Sequence, residues 1–155
     1  MNSSKSVISF FSIVVLMLCG CAKVNDKTLG WFSSSADAYV IVNGQILSGT
    51  LVLIPDRTGR LSVGSESGPI TSCSGGMRHT ATHAGVIDLR CNDGSDAALE
   101  FTEITETRGY AYGKTAQGQV SMTFGLPPED ARSFLTVPEG KKLVESKQSG
   151  GLELQ

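Results

Sequence analysis

An excess of charge is the first thing this chain lacks. Thirteen Lys and Arg stand against fifteen Asp and Glu, a formal net charge of −2, and no basic run breaks the balance. A nucleic-acid partner needs a basic stripe to neutralise phosphates, so that class is set aside. Histidine is nearly absent, with only His79 and His83. The spacings of several familiar sites are also missing. In GYAYGKT (109–115) three residues separate Gly109 from Gly113, where a phosphate loop needs four. The segment that follows, QVSMTF, alternates like a strand instead of opening a helix. GSESG (64–68) has Glu66 where a nucleophile elbow needs serine. CNDGSD (91–96) clusters oxygens, yet Leu89 and Cys91 stand where a calcium loop requires carboxylates. A Ser-His-Asp triad can be assembled on paper from so many serines, but no spacing selects one. These absences predict a protein that is not an enzyme and uses no cofactor and no metal.

Long hydrophobic runs are scarce too. The one pronounced run is Val7–Leu18, preceded by Lys5 and free of charge. It is short for a bilayer span and small residues follow at once, which is the pattern of a secretory signal over residues 1–20. Its end, Leu18-Cys19-Gly20-Cys21, resembles the lipobox of bacterial lipoproteins. The resemblance implies cleavage before Cys21, a diacylglyceryl thioether on its sulfur, and acyl chains such as palmitate. Ala22 in place of Asp implies sorting to the outer membrane. One acyl chain anchors marginally and several anchor durably, at about 0.8 kcal/mol per buried methylene. Removing residues 1–20 from 155 leaves 135, enough for one small domain, with twelve basic residues against fifteen acidic. Residues 21–36 then read as the lipidated cysteine and a polar tether, with Trp31-Phe32 its only aromatic pair.

With Cys19 lost and Cys21 lipidated, Cys73 and Cys91 remain. In an oxidising envelope such a pair is normally a disulfide. The alternative is a Cys₂His₂ zinc site with His79 and His83, which needs both thiolates reduced and both rings on one ion. Along a continuous strand those rings lie roughly 13 Å apart. Gly75-Gly76, Thr80, Thr82 and Gly85 favour strand or loop over helix, so the pattern predicts a bridge with two exposed histidines.

From Asp37 the chain reads as short strands. AYVIV (38–42) and QILSGTLVLI (45–54) flank Asn43-Gly44, the strongest short hairpin signal. Pro55 to Gly59 is a turn by composition. RLSVGS (60–65) follows, GPITSC (68–73) leads into the Cys73–Cys91 pair, and VIDLRC (86–91), ALEFTEIT (98–105), GYAYGKT (109–115) and QVSMTF (119–124) continue the series. Ile87, Leu89 and Cys91 point to one face, and so do Val120, Met122 and Phe124. LPPEDARSFL (126–135) reads as one short helix, with proline in its first turn and Glu129 and Asp130 at the positive end of its dipole. Residues 139–155 read as a polar tail. Eighteen glycines and close turns predict a mostly β domain over 37–138, a small antiparallel barrel or sandwich.

The order of Ser72-Cys73-Ser74, an LRCNDG turn, GYAYGKTAQGQ and a strand ending FGL resembles a group of small proteobacterial lipoproteins of unknown function, over residues 69–126. The membrane-bound lysozyme inhibitors are likewise lipid-anchored, β-barrelled and disulfide-bonded. Their Ser-Gly-x-x-Tyr loop is missing here, the nearest segment being Glu106 to Tyr110. Together these features predict a non-enzymatic binding or assembly module at the outer membrane, facing the periplasm, within a secretion, pilus or conjugation type of complex. Its partners are the membrane, through Cys21, and an envelope protein. The alternative is an inhibitor of an envelope hydrolase such as lysozyme. Tyr110 and Tyr112 share one strand face. They either pack the core, as alternating aromatics do, or form the partner-binding surface.

Overall fold

The computed structural model describes residues 33–146 and 150–155. Eight strands run β1 (Ser34–Val42), β2 (Gln45–Ile54), β3 (Thr58–Gly64), β4 (Ser72–Ala81), β5 (Ala84–Cys91), β6 (Asp96–Thr105), β7 (Arg108–Thr115) and β8 (Gly118–Phe124). Each pairs with the next, and β8 returns to β1 with Ala38 opposite Phe124, closing an antiparallel barrel. The β1–β2 turn places Asn43 and Gly44 at φ 47° and 76°, the two positive values a type I′ hairpin requires.

Alternation decides what goes inside. Val40, Leu51, Ile87, Leu99, Phe101, Met122 and Phe124 are all at most 1 % exposed and fill the lumen. Eight strands enclose a space that side chains can fill, so this barrel is packed and not hollow. Room for its rings comes from glycine. A side chain at Gly109 would begin 2.5 Å from the Phe124 ring, and one at Gly113 2.6 Å from Leu99. The outward positions, including Arg60, Ser62, Arg78, Asp88, Arg90, Glu100 and Thr102, are exposed and polar. That is the reverse of the apolar outer band of a barrel that faces lipid. Among the described residues no helix is long and apolar enough to cross a membrane.

Cys73 and Cys91 are register partners on β4 and β5, and their sulfurs are bonded. The bridge lies at the end of the barrel where loop 65–71 folds over the core. Ile70 in that loop is fully buried. The Gln45 side chain fixes it, donating to the carbonyls of Ser67 and Ile70 and accepting from the Ile70 N–H.

Three boundaries differ from the sequence reading. β1 begins at Ser34, because its first residues pair with β2 up to Leu53, so the end of the expected tether is strand. The expected helix over 126–135 shrinks to the single turn α1 (Pro128–Ala131), beyond which Ser133 and Phe134 donate three residues back, to the carbonyls of Asp130 and Ala131, as in turns. The expected polar tail contains a hairpin, β9 (Leu143–Glu145) with β10 (Leu152–Leu154). Leu152 is buried there in a second cluster with Tyr39, Ile41, Leu126, Ala131 and Leu135. Tyr39 and Ile41 point outward from β1, and the chain after β8 folds back to keep them from water.

Candidate functional site

Tyr110 and Tyr112 are on the outside of the barrel, so the core reading of these rings is corrected. On β7 the inward phase belongs to Gly109, Ala111 and Gly113, since Leu99 and Phe124 already occupy that space. Tyr110 is half-buried and stacks on Phe134, with ring centroids 4.7 Å apart and planes 16° from parallel. Tyr112 remains 42 % exposed. Its hydroxyl donates to the Phe134 carbonyl at 2.8 Å. Burial, and then the neighbouring Tyr110, hold the Tyr112 phenol above its ordinary value. Register places Glu100 and Thr102 of β6 on one side of the two rings and Ser121 and Thr123 of β8 on the other. The result is an aromatic strip on a polar wall, pinned by the segment after α1.

A second cluster occupies the mouth opposite the disulfide. His79 was expected to be exposed, and it is not: its side chain is 11 % exposed and that of Glu103 6 %. The ring projects inward from β4 and meets Phe101 edge-on at 5.0 Å. Its Nδ1 lies 2.9 Å from the Arg57 carbonyl, and its Nε2 2.7 Å from Glu103 Oε1. The Arg57 carbonyl and an ionised Glu103 both accept, so a ring with one N–H can donate to only one of them and a ring with two N–H groups serves both. His83, in the β4–β5 turn, is the exposed histidine, 71 % open, with Nδ1 3.7 Å from Glu103 Oε2.

Arg57 organises this mouth. It adopts a positive φ of 67°, uncommon for a residue with a side chain. The turn this creates aims its carbonyl at His79, where it accepts from both the main-chain N–H and the ring. Its guanidinium reaches over to donate to the carbonyls of Ala81 and Thr82, at 2.6 and 3.1 Å. The depression beside it holds about 490 Å³ and is lined by Asp56, Arg57, Thr58, Arg78, His79 and the 80–82 backbone.

Cys73 and Cys91 share no site with the histidines, because the bridge and the His79 mouth close opposite ends of the barrel. Among the described residues no group of three His, Cys, Asp or Glu is arranged to hold a metal ion. The Asp93 turn uses its own oxygens: Asp93 accepts from the Ser95 hydroxyl and N–H, which hold its carboxyl below the usual range. Cys21 lies outside the described residues.

The sequence reading missed Glu103, Arg57 and Phe134. The available signal was the phase of β6, where Leu99, Phe101 and Glu103 share the inward face and so mark a carboxylate that needs a partner. Comparison with protein-family models, curated proteins and solved structures finds no match to this chain.

Proposed function

We propose that this chain is a lipoprotein held at the outer membrane by acyl chains on Cys21, with its barrel facing the periplasm. The barrel acts as a non-enzymatic binding or assembly module in an envelope complex of the secretion, pilus or conjugation type. The observation that supports this reading is the filled lumen. Leu51, Leu99, Phe101 and Phe124 occupy the space where a carrier barrel would hold a ligand. Recognition therefore falls to the outer surface, where Ile104 and Tyr112 are the exposed large apolar side chains among the described residues and Tyr112 is the aromatic one. Rigid aromatic rings supply contact area at low entropy cost and are enriched where partners bind most strongly.

The test is purification from detergent-extracted envelopes. The expected result is an N-terminal peptide carrying lipid mass on Cys21, together with a stoichiometric envelope protein. A secreted hydrolase such as lysozyme in that position would favour the inhibitor reading instead. An unmodified Cys21 would refute the anchor.

A further inference from the structure

We propose that the chain after β8 is a strap that opens as a unit while the barrel stays closed, and that its position sets the state of the aromatic strip. The outward positions of β8 are Ser121 and Thr123, flanked in register by Tyr112 and Tyr110 on β7 and by Ile41 and Tyr39 on β1. Elsewhere small polar residues in the outward phase, such as Ser62, Ser74 and Thr102, are exposed. Ser121 and Thr123 are each only 1 % exposed, because the chain folds back over this side. Ser121 is compensated, since its Oγ accepts the Thr136 N–H at 2.9 Å. Thr123 is not: among the described residues its hydroxyl is the buried side-chain oxygen left without a hydrogen-bond partner. A hydroxyl covered without a bond disfavours the covered state against one in which water reaches it.

What holds the strap down differs from what holds the barrel. Main-chain ladders join the eight strands all the way round without it. Gly125 still donates its N–H to the Asp37 carbonyl at 2.8 Å, so opening begins beyond that residue. No main-chain to main-chain bond ties residues 126–146 to the strands. Three bonds through side chains do: the Tyr112 hydroxyl to the Phe134 carbonyl, the Thr136 N–H to Ser121, and the Lys141 ammonium to the Gly44 carbonyl at 2.8 Å. The rest is apolar contact. Leu126, Ala131, Leu135 and Leu152 form one cluster with Tyr39 and Ile41, so they leave together. A unit held in this way opens at a lower free energy than the whole domain unfolds. Closed, it stacks Phe134 on Tyr110 and fixes the Tyr112 hydroxyl; open, both rings lose that partner. A partner that reads the fixed arrangement therefore draws the strap shut by linkage. That consequence rests on the strip being the recognition surface; the opening itself does not.

The test is amide hydrogen exchange of the full chain, resolved by residue and corrected for intrinsic rates. The bonded amides of Phe134, Leu135 and Thr136 are expected to exchange about a hundredfold or more faster than those of Val40, Leu99 and Met122 in the barrel. Thr123→Val keeps the shape and removes the orphan hydroxyl, so strap exchange should slow about tenfold. Tyr112→Phe removes one of the three bonds and should speed it about two- to tenfold, with the barrel amides unmoved. Thr50→Val, at an exposed position of β2, is the control and should change neither. Strap and barrel amides exchanging together in the wild type would overturn the strap, as would unchanged or faster strap exchange in Thr123→Val. The wild-type comparison decides alone if that variant fails to fold. Fast strap exchange with no partner captured at position 112 would leave the strap standing and refute the recognition surface.

Discussion

His79 and Phe101 meet edge to face across Gly85, the strand position that lies between them in the register. A side chain at Gly85 would begin 2.1 Å from the Arg78 carbonyl and 2.5 Å from the Phe101 ring. Glycine here is a requirement of the packing. Gly85→Ala should destabilise the domain by about 1–3 kcal/mol or more, as overpacked cores do, which denaturant unfolding would measure. A wild-type midpoint in that variant would show that the mouth is looser than described.

The two tyrosines should separate in thermal or denaturant melts. Tyr110→Ala loses the stacked Phe134 ring and half-buried area, for about 1–3 kcal/mol. Tyr112→Phe loses only the bond to the Phe134 carbonyl, about 0.5–1.5 kcal/mol. Equal, large losses in both would place the rings in the core after all.

Cys73→Ser and Cys91→Ser should each cost about 3 kcal/mol, the chain-entropy figure for a loop near this separation of 18. The double variant should cost little more than either one, because the partners share a single bond. Additive losses would mean that each sulfur acts separately.

Tyr39 reports on the C-terminal hairpin. Burial first, then Asp37 and Glu145, hold its phenol above the ordinary 10.0. The unfolded chain therefore releases this proton first. Above about 10 the native state binds more protons, and stability falls as pH climbs through the folded value. β9 and β10 pair only with each other, so ending the chain at Gly140 leaves the barrel pairing intact. It also removes Leu152 and Glu145, and tyrosinate absorbance should then show Tyr39 titrating closer to 10.0. An unmoved titration would mean that the hairpin does not cover the ring.

The strands were legible because their signals are local. Asn43-Gly44 announces its turn, Gln45–Ile54 falls as read, and Val120, Met122 and Phe124 are buried on one phase. Closure into a barrel has no such signature, since β1 meets β8 through residues some eighty positions apart. The His79–Glu103 pair, 24 residues apart, was hidden for a related reason. The spacing of His79 and His83 was taken along one extended strand, but the chain reverses at 82–83 and brings both near one carboxylate. LVE and LEL are too short to display alternation, so the hairpin in the polar tail passed unread. Tyr110 and Tyr112 misled for another reason: the small residues between them, and not the rings, face the core.

Anchoring gives a simple genetic prediction. Cys21→Ser should release the protein from membranes, because acylation at that position is the proposed hold. Fractionation that leaves the variant in the membrane pellet would count against the lipobox reading.

The central claim, a binding module that acts through its outer aromatic strip, is tested most directly by photo-crosslinking from position 112 of the membrane-anchored protein. Arg60, exposed on β3 four strands around the barrel, is the control position. The expected result is one discrete envelope-protein adduct from position 112 that is absent from position 60. Adducts shared by both positions, or none at either, would contradict the account.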